Sequence, residues 1–232
     1  MKMFILSLFM LLFPNVVYSQ ACSKSKTLQI GVDPWPPFSY SSSSKLKGVS
    51  VDIIRAAFSK VGIKTDFHLL PWKRIVRNIQ LGELDVLANL YYVEDIAKWV
   101  KYSLPYLKSD VKLASLKNFK RRIRSISSIQ GESVAYGQGY SFGKSFDHAS
   151  HFKKVEVPVT ENGLKMMILG RVDLVIDSEE VLSFLIDHNT EYSSKIKILS
   201  DSLLVNEMSI GVSKKHRDRE RIITCFNQGL TA

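Results

Sequence analysis

The feature that most constrains this chain is a short pattern that occurs twice. Leu81-Gly82-Glu83-Leu84-Asp85-Val86-Leu87 and Leu169-Gly170-Arg171-Val172-Asp173-Leu174-Val175 both read L-G-x-[L/V]-D followed by apolar residues. Each has an amphipathic stretch before the glycine and an apolar run after it, so each marks a helix that stops at glycine and turns into a strand. The surrounding elements agree as well. Ahead of the first copy lie an alternating strand over 27–32, a helix over 49–61 closed by Gly62, a strand over 64–69 and a helix opened by Pro71, with a strand over 84–88 following. Ahead of the second lie a strand over 133–136, a helix over 141–149, a strand over 153–157 and a helix over 161–169, with a strand over 172–176 following. Such alternation predicts parallel strands with helices on the sheet faces. Its repetition predicts two similar α/β lobes. The 232 residues are enough for two lobes, each of about 100 residues.

The N-terminus stands apart from this pattern. Lys2 precedes an apolar stretch from Met3 to Phe13 broken only by Ser7; Pro14 and Asn15 end it, and the small residues Val17, Ser19 and Ala21 follow. That is the layout of a secretory signal peptide, too short for a spanning helix. Residues 1–21 are therefore read as a leader cleaved after Ser19 or Ala21, with an uncleaved anchor as the alternative. Export to the periplasm gives the two cysteines a meaning. An even count in an oxidising compartment predicts a bridge between Cys22 and Cys225, tying the chain ends together. The competing reading is lipidation of Cys22, for which Ser19 is the wrong residue three positions earlier. Two distant cysteines and five scattered histidines show no metal-ligand spacing, and no cofactor or metal is expected.

With 23% charged residues and 45% in the AVILMFWYC set, the composition is that of a globular domain. The net charge of +10 suits an anionic partner or a membrane surface. Its densest run is Lys117, Lys120, Arg121, Arg122 and Arg124, which reads first as a solvated basic face. No nucleic-acid motif accompanies it, so no nucleic-acid partner is expected.

Ligands of open α/β sheets bind beyond the C-terminal ends of the strands. The residues there include Asp33, Trp35 and Phe38 in a proline-stiffened loop, then Trp72 and Arg74 at a helix start, then Asn89 and Tyr91. In the second half they are Gly139, Tyr140 and Ser141 before a helix, and Asp177 and Ser178 after the last strand. Each has a plain structural alternative: packed turn, core ring, ordinary strand-helix turn or helix cap. Together they describe a polar and aromatic ligand cleft between two lobes.

The order of segments resembles the extracellular solute-binding proteins, family 3, which serve ABC transporters for polar amino acids. The matching pieces are Asp33-Pro34-Trp35-Pro36-Pro37-Phe38, Gly48 before the first helix, and Gly82 to Asp85. They continue with Tyr102-Ser103-Leu104-Pro105-Tyr106, Gly131 to Ser141, and Gly170 to Asp173. The resemblance implies a type II periplasmic-binding-protein-like α/β fold, each lobe a mostly parallel sheet flanked by helices, with a hinge between them. It implies a discontinuous first lobe, residues 22–112 and 206–232, and a second lobe over 113–205. In the family, aromatics matching Trp35, Phe38 and Trp72 sandwich the ligand's side chain, and groups matching Asn89, Tyr91 and Gly139-Tyr140-Ser141 bond its polar end. Two positions depart from the family's amino-acid clamp. Ile96 stands where an arginine for the α-carboxylate is expected, and Ser178 stands where an aspartate for the α-ammonium is expected, with Asp177 and Glu179 beside it. Arg74 or Lys73 is the candidate replacement for the positive charge.

The expected function is capture of a small polar, amino-acid-like molecule by hinge closure, followed by delivery to an ABC-type permease. The chain is expected to work as a monomer and not as an enzyme. Two alternatives stand beside this: a ligand sensor that signals to a membrane partner, and an enzyme like the periplasmic cyclohexadienyl dehydratases. The latter would use Glu179, Asp177 or His148 as its acid, although no acid–base pair stands out.

Overall fold

The computed structural model describes Cys22 and residues 26–232, so the leader expected over 1–21 lies outside the described residues. The elements of the first half are β1 (Leu28–Val32), β2 (Tyr40–Ser42), β3 (Lys45–Lys47), α1 (Val49–Lys60), β4 (Thr65–Leu69), α2 (Trp72–Leu81), β5 (Val86–Tyr91), α3 (Glu94–Ala97) and β6 (Val100–Tyr102). The second half has β7 (Leu107–Leu116), β8 (Ser133–Gly137), α4 (Lys144–Asp147), β9 (Lys153–Val157), α5 (Thr160–Ile168), β10 (Leu174–Ser178), α6 (Glu179–Asp187), α7 (Thr190–Lys195) and β11 (Ile196–Ile198). The chain ends with β12 (Leu204–Ser213) and α8 (Arg219–Thr231). Among the described residues no helix is long and apolar enough to cross a membrane.

Two parallel trios carry the lobes. β1 pairs in parallel with β4 and β5, and β8 pairs in parallel with β9 and β10. The two long strands β7 and β12 join them. They run antiparallel to each other from Leu107–Val111 to Leu204–Met208. Beyond that stretch they diverge, β12 pairing with β5 and β6 in the first lobe and β7 with β10 and β11 in the second. The result is the two-lobed α/β fold that the alternation predicts, with both lobes on one hydrogen-bonded path, β4-β1-β5-β12-β7-β10-β8-β9.

The repeated L-G-x-[L/V]-D pattern does the same work in both lobes. Gly82 and Gly170 sit at φ 76° and φ 68°, left-handed values that cost a residue with a Cβ more than they cost glycine. The aspartate then clamps the turn to the first strand of its lobe. Asp85 donates its N–H to the Gln29 carbonyl and accepts the Gln29 N–H on Oδ2, both at 2.8 Å. Asp173 does likewise with Ser133, at 3.1 and 2.8 Å.

Apolar spacing explains the packing. α1 buries Val51, Ile54, Ala57 and Phe58 on one face, against Ile30, Val32 and Phe226. α2 buries Ile75 and Ile79 on the opposite side of the same sheet. The second lobe has a core on each sheet face, one around Phe142, Phe146 and Ile176, the other around Leu164, Met167 and Val175. Cys22 is bridged to Cys225 on α8, 203 positions away, which fastens the start of the described chain to the first lobe's core. In the basic run, Arg121 and Arg122 pair with Glu132 and Asp201, and Lys117 donates to the Ser193 carbonyl.

Three expected boundaries move. β5 continues through Asn89 to Tyr91 and β10 continues through Asp177 to Ser178, because β12 and β7 supply antiparallel partners at those positions. Residues expected in loops past the strands therefore lie within them. The helix expected over 141–149 shrinks to Lys144–Asp147. Gly143 at φ 83° breaks its first turn, and the Asp147 carboxylate accepts the Ser141 hydroxyl and the Phe142 N–H.

Candidate functional site

The cleft lies between the two parallel trios, which the antiparallel pair β7 and β12 connects. Its first-lobe wall is Asp33 and Trp35 after β1, Trp72 at the start of α2, and Asn89 and Tyr91 at the end of β5. Its second-lobe wall is Gly139, Tyr140 and Ser141 after β8, with Phe142 behind them. The space between them is about 430 Å³ when the open mouth is included.

What closes the walls is a set of direct hydrogen bonds between lobes. Trp35 Nε1 donates to Asp177 Oδ1 at 2.9 Å, and the Tyr140 hydroxyl donates to Asp33 Oδ2 at 2.5 Å. Tyr91 and Ser178 share a hydroxyl hydrogen bond of 2.7 Å. Trp35 is the hub of the aromatic packing, with ring centroids 4.8 Å from Phe38, 5.5 Å from Tyr91 and 5.8 Å from Tyr140. Edge and tilted geometries of this kind are the favourable ones. Gly139, at φ 80°, permits the approach, since a Cβ there would sit 3.0 Å from Trp72 Cδ1.

The Asp33 loop is fixed from beneath. Asn89, in a left-handed kink of β5 at φ 56°, donates its amide to Ser39 Oγ at 2.7 Å and to Asp33 Oδ1 at 3.4 Å. The Tyr106 hydroxyl donates to Asn89 Oδ1 and to Ser50 Oγ, each at 3.2 Å. Asn tolerates positive φ better than most residues, so the kink and the polar contacts come from one side chain.

Two carboxyl groups are buried here without a cationic partner among the described residues. Burial pushes Asp33 above the usual carboxylate range, against the hydrogen bonds from Tyr140 and Asn89. Burial pushes Asp177 further, up to about 7, against the hydrogen bonds from Thr160, its neighbour's N–H and Trp35. Desolvation disfavours the charged form, and neither carboxyl has a positive neighbour to restore it.

Of the twelve positions singled out in the sequence as ligand-binding, eight line this cleft: Asp33, Trp35, Trp72, Asn89, Tyr91, Gly139, Tyr140 and Ser141. Four do not. Phe38 is buried beneath Trp35. Asp177 and Ser178, fully buried in β10, reach the cleft residues only through the bonds to Trp35 and Tyr91. Arg74 is exposed, because two positions along a helix turn a side chain about 200° from Trp72. Lys73 lies at the rim, its Nζ 4.0 Å from Glu156 across the cleft. Neither side chain lines the cleft, and Ile96 is itself a wall residue. Sequence reasoning missed Ser39, Tyr106 and Thr160. Tyr106 carried a usable signal, as the last residue of the Tyr102–Tyr106 segment.

The likeness to known proteins extends over most of the chain. Residues 28–232 match the bacterial extracellular solute-binding proteins, family 3. The chain is 26% identical over 182 residues to "Probable amino-acid-binding protein YxeM" of Bacillus subtilis, covering 77% of this chain and 67% of that protein. It is 26% identical over 213 residues to "Probable amino-acid ABC transporter-binding protein" of Haemophilus influenzae, covering 90% and 80%. Among solved structures, the arginine-bound form of truncated ArgBP from T. maritima superposes with a TM-score of 0.77 over 88% of this chain and 95% of that one, at 18% identity, a likeness of fold. The chain thus belongs to the bacterial extracellular solute-binding proteins, family 3.

Proposed function

We propose that this protein is exported to the periplasm by a cleaved leader at residues 1–21, captures a small polar, amino-acid-like molecule in the cleft, and hands it to an ABC-type permease. The observation that carries this reading is the cleft itself, where Asp33 and Trp72 of one lobe face Tyr140 and Ser141 of the other, with the antiparallel pair β7 and β12 joining the lobes. Such a site is assembled only when the lobes meet, so a ligand that touches both walls shifts the hinge towards closure. The twelve positions named from the sequence divide accordingly. The eight wall residues touch ligand, Phe38, Asp177 and Ser178 hold wall residues in place, and Arg74 is left outside. The lobes are residues 22–112 with 206–232, and 113–205, and the protein acts as a monomer.

The reading is one of binding without turnover. Of the acids a dehydratase would need, Asp177 is sealed in β10, Glu179 pairs with Lys112 at 2.7 Å, and His148 is exposed and does not line the cleft. The test is a thermal-shift panel of amino acids, amines, dicarboxylates and sugars on the oxidised protein. A ligand at about 100 times its Kd adds roughly 2.7 kcal/mol of stability, a plain rise in Tm. Silence across the panel, or conversion of a hit to product, overturns the proposal.

A further inference from the structure

The cleft wall is lopsided in charge. Among its lining residues there is no lysine, arginine or histidine, and the only carboxylate is Asp33. The rings of Trp35, Trp72, Tyr91 and Tyr140 and the aliphatic side chain of Ile96 line the same cleft. An Asp33 ion buried this way has two neutral hydrogen-bond donors, the Tyr140 hydroxyl and the Asn89 amide, and no positive charge beside it. A buried, uncompensated charge is costly, and a positive group brought against it recovers much of that cost. Electron-rich aromatic faces attract cations as well, most strongly where water is excluded.

A ligand carboxylate meets the opposite situation. It would lose its hydration on entering the cleft, gain no cation in exchange, and stand near the Asp33 ion. The nearest candidate cation, Lys73, is at the exposed rim, its Cε 3.7 Å from where a Gly139 Cβ would stand and its Nζ 4.0 Å from Glu156, whose carboxylate offsets its charge. Arg74 points to solvent.

We infer that the cleft selects an organic cation with no carboxylate group, an amine or ammonium whose positive end meets Asp33 and whose apolar body lies against the four aromatic rings. The inference rests on the solute-binding reading and narrows its ligand class. The Tyr140 hydroxyl now donates to Asp33 Oδ2, so an ammonium takes over a donor position that the second lobe itself fills in the closed cleft.

Matched pairs that differ only in the carboxylate decide the matter. Calorimetric titration of the oxidised protein would compare agmatine with arginine, cadaverine with lysine, putrescine with ornithine and tyramine with tyrosine. The expected result is that at least one amine binds more tightly than its amino acid, by about ten-fold or more, the size of one charged contact. Asp33→Asn, nearly isosteric, should then abolish the amine's binding while the Tm of the ligand-free protein is kept or raised. Should that variant not fold, the wild-type ratio alone decides. Amino acids that bind as tightly as their amines in every pair, or an Asp33→Asn protein that folds and keeps its amine affinity, overturn the inference and leave solute binding intact. Failure of all four pairs also overturns it. A hit among neutral or anionic solutes in the wider panel would then preserve the solute-binding reading, and silence there would remove both.

Discussion

Trp35 and Asp177, 142 positions apart, are joined across the cleft by the indole N–H, 2.9 Å from the carboxyl oxygen. Trp35→Phe keeps an aromatic body against Phe38, Tyr91 and Tyr140 but removes this donor. Asp177 then retains only Thr160 and the Ser178 N–H. Loss of one partner from a buried polar group costs roughly 1–3 kcal/mol. The denaturant midpoint should fall by that equivalent with an unchanged m-value. A midpoint equal to that of wild type would mean that the inter-lobe bond adds nothing to the closed state.

Asp177 also sets a pH dependence whose sign is fixed. Its carboxyl rises from 3.8 to about 7 in the folded chain, so the folded state holds the proton more tightly than the unfolded state. Between those values unfolding releases a proton, and stability falls as the pH rises, levelling off above about 7. The contribution reaches about 4 kcal/mol at most, at 1.36 kcal/mol per pH unit. Asp33, also raised by burial, acts with the same sign. Melting curves from about pH 5 to pH 8 should therefore show Tm decreasing for wild type. Asp177→Asn should decrease less, and parallel curves would show that Asp177 does not titrate in this range.

How much of this was legible in sequence depends on how far apart the interacting groups are. Asp85 and Asp173 clamp strands at Gln29 and Ser133, which lie 56 and 40 positions away, whereas the turns at Gly82 and Gly170 were readable because adjacent residues set them, in a pattern the chain repeats. The ends of β5 and β10 were not, because their last residues pair with β12 and β7, strands contributed from distant parts of the chain. Asn89 looked like the first residue of a loop, yet its φ of 56° is a kink inside a strand. The cleft residues were found from a rule about strand ends, which locates a region and not an orientation. It correctly gathered Asp33, Trp72 and Tyr140, and it also gathered Arg74, which helical geometry turns outward. The Trp35–Asp177 and Tyr140–Asp33 bonds had no sequence signature, since they exist only once two separately formed lobes meet.

The Cys22–Cys225 bridge closes a loop of 203 positions. In the chain-entropy account a loop of that size restricts the unfolded ensemble by about 5 kcal/mol. Reduction, or the paired change Cys22→Ser with Cys225→Ser, should lower Tm markedly and leave ligand affinity close to wild type, because the bridge lies in the α8 core and not on the cleft wall. Two titratable thiols in the native protein would show that the bridge is not formed.

Gly139 separates closure from stability. At φ 80° any residue with a Cβ is strained, by about 1–2 kcal/mol, and here the Cβ would also press on Trp72 at 3.0 Å. Gly131 provides the control: its φ is 82°, and a Cβ there meets nothing within 4 Å. Gly131→Ala and Gly139→Ala should therefore lose similar stability from backbone strain, seen as similar falls in Tm. Only Gly139→Ala should weaken solute binding, because only there does the added methyl stand between the two walls. The comparison is made by titrating one solute hit against both variants. If both lose affinity alike, the loss comes from general destabilisation. If Gly139→Ala alone loses affinity, the Gly139–Trp72 contact is where the lobes must meet for the ligand to be held.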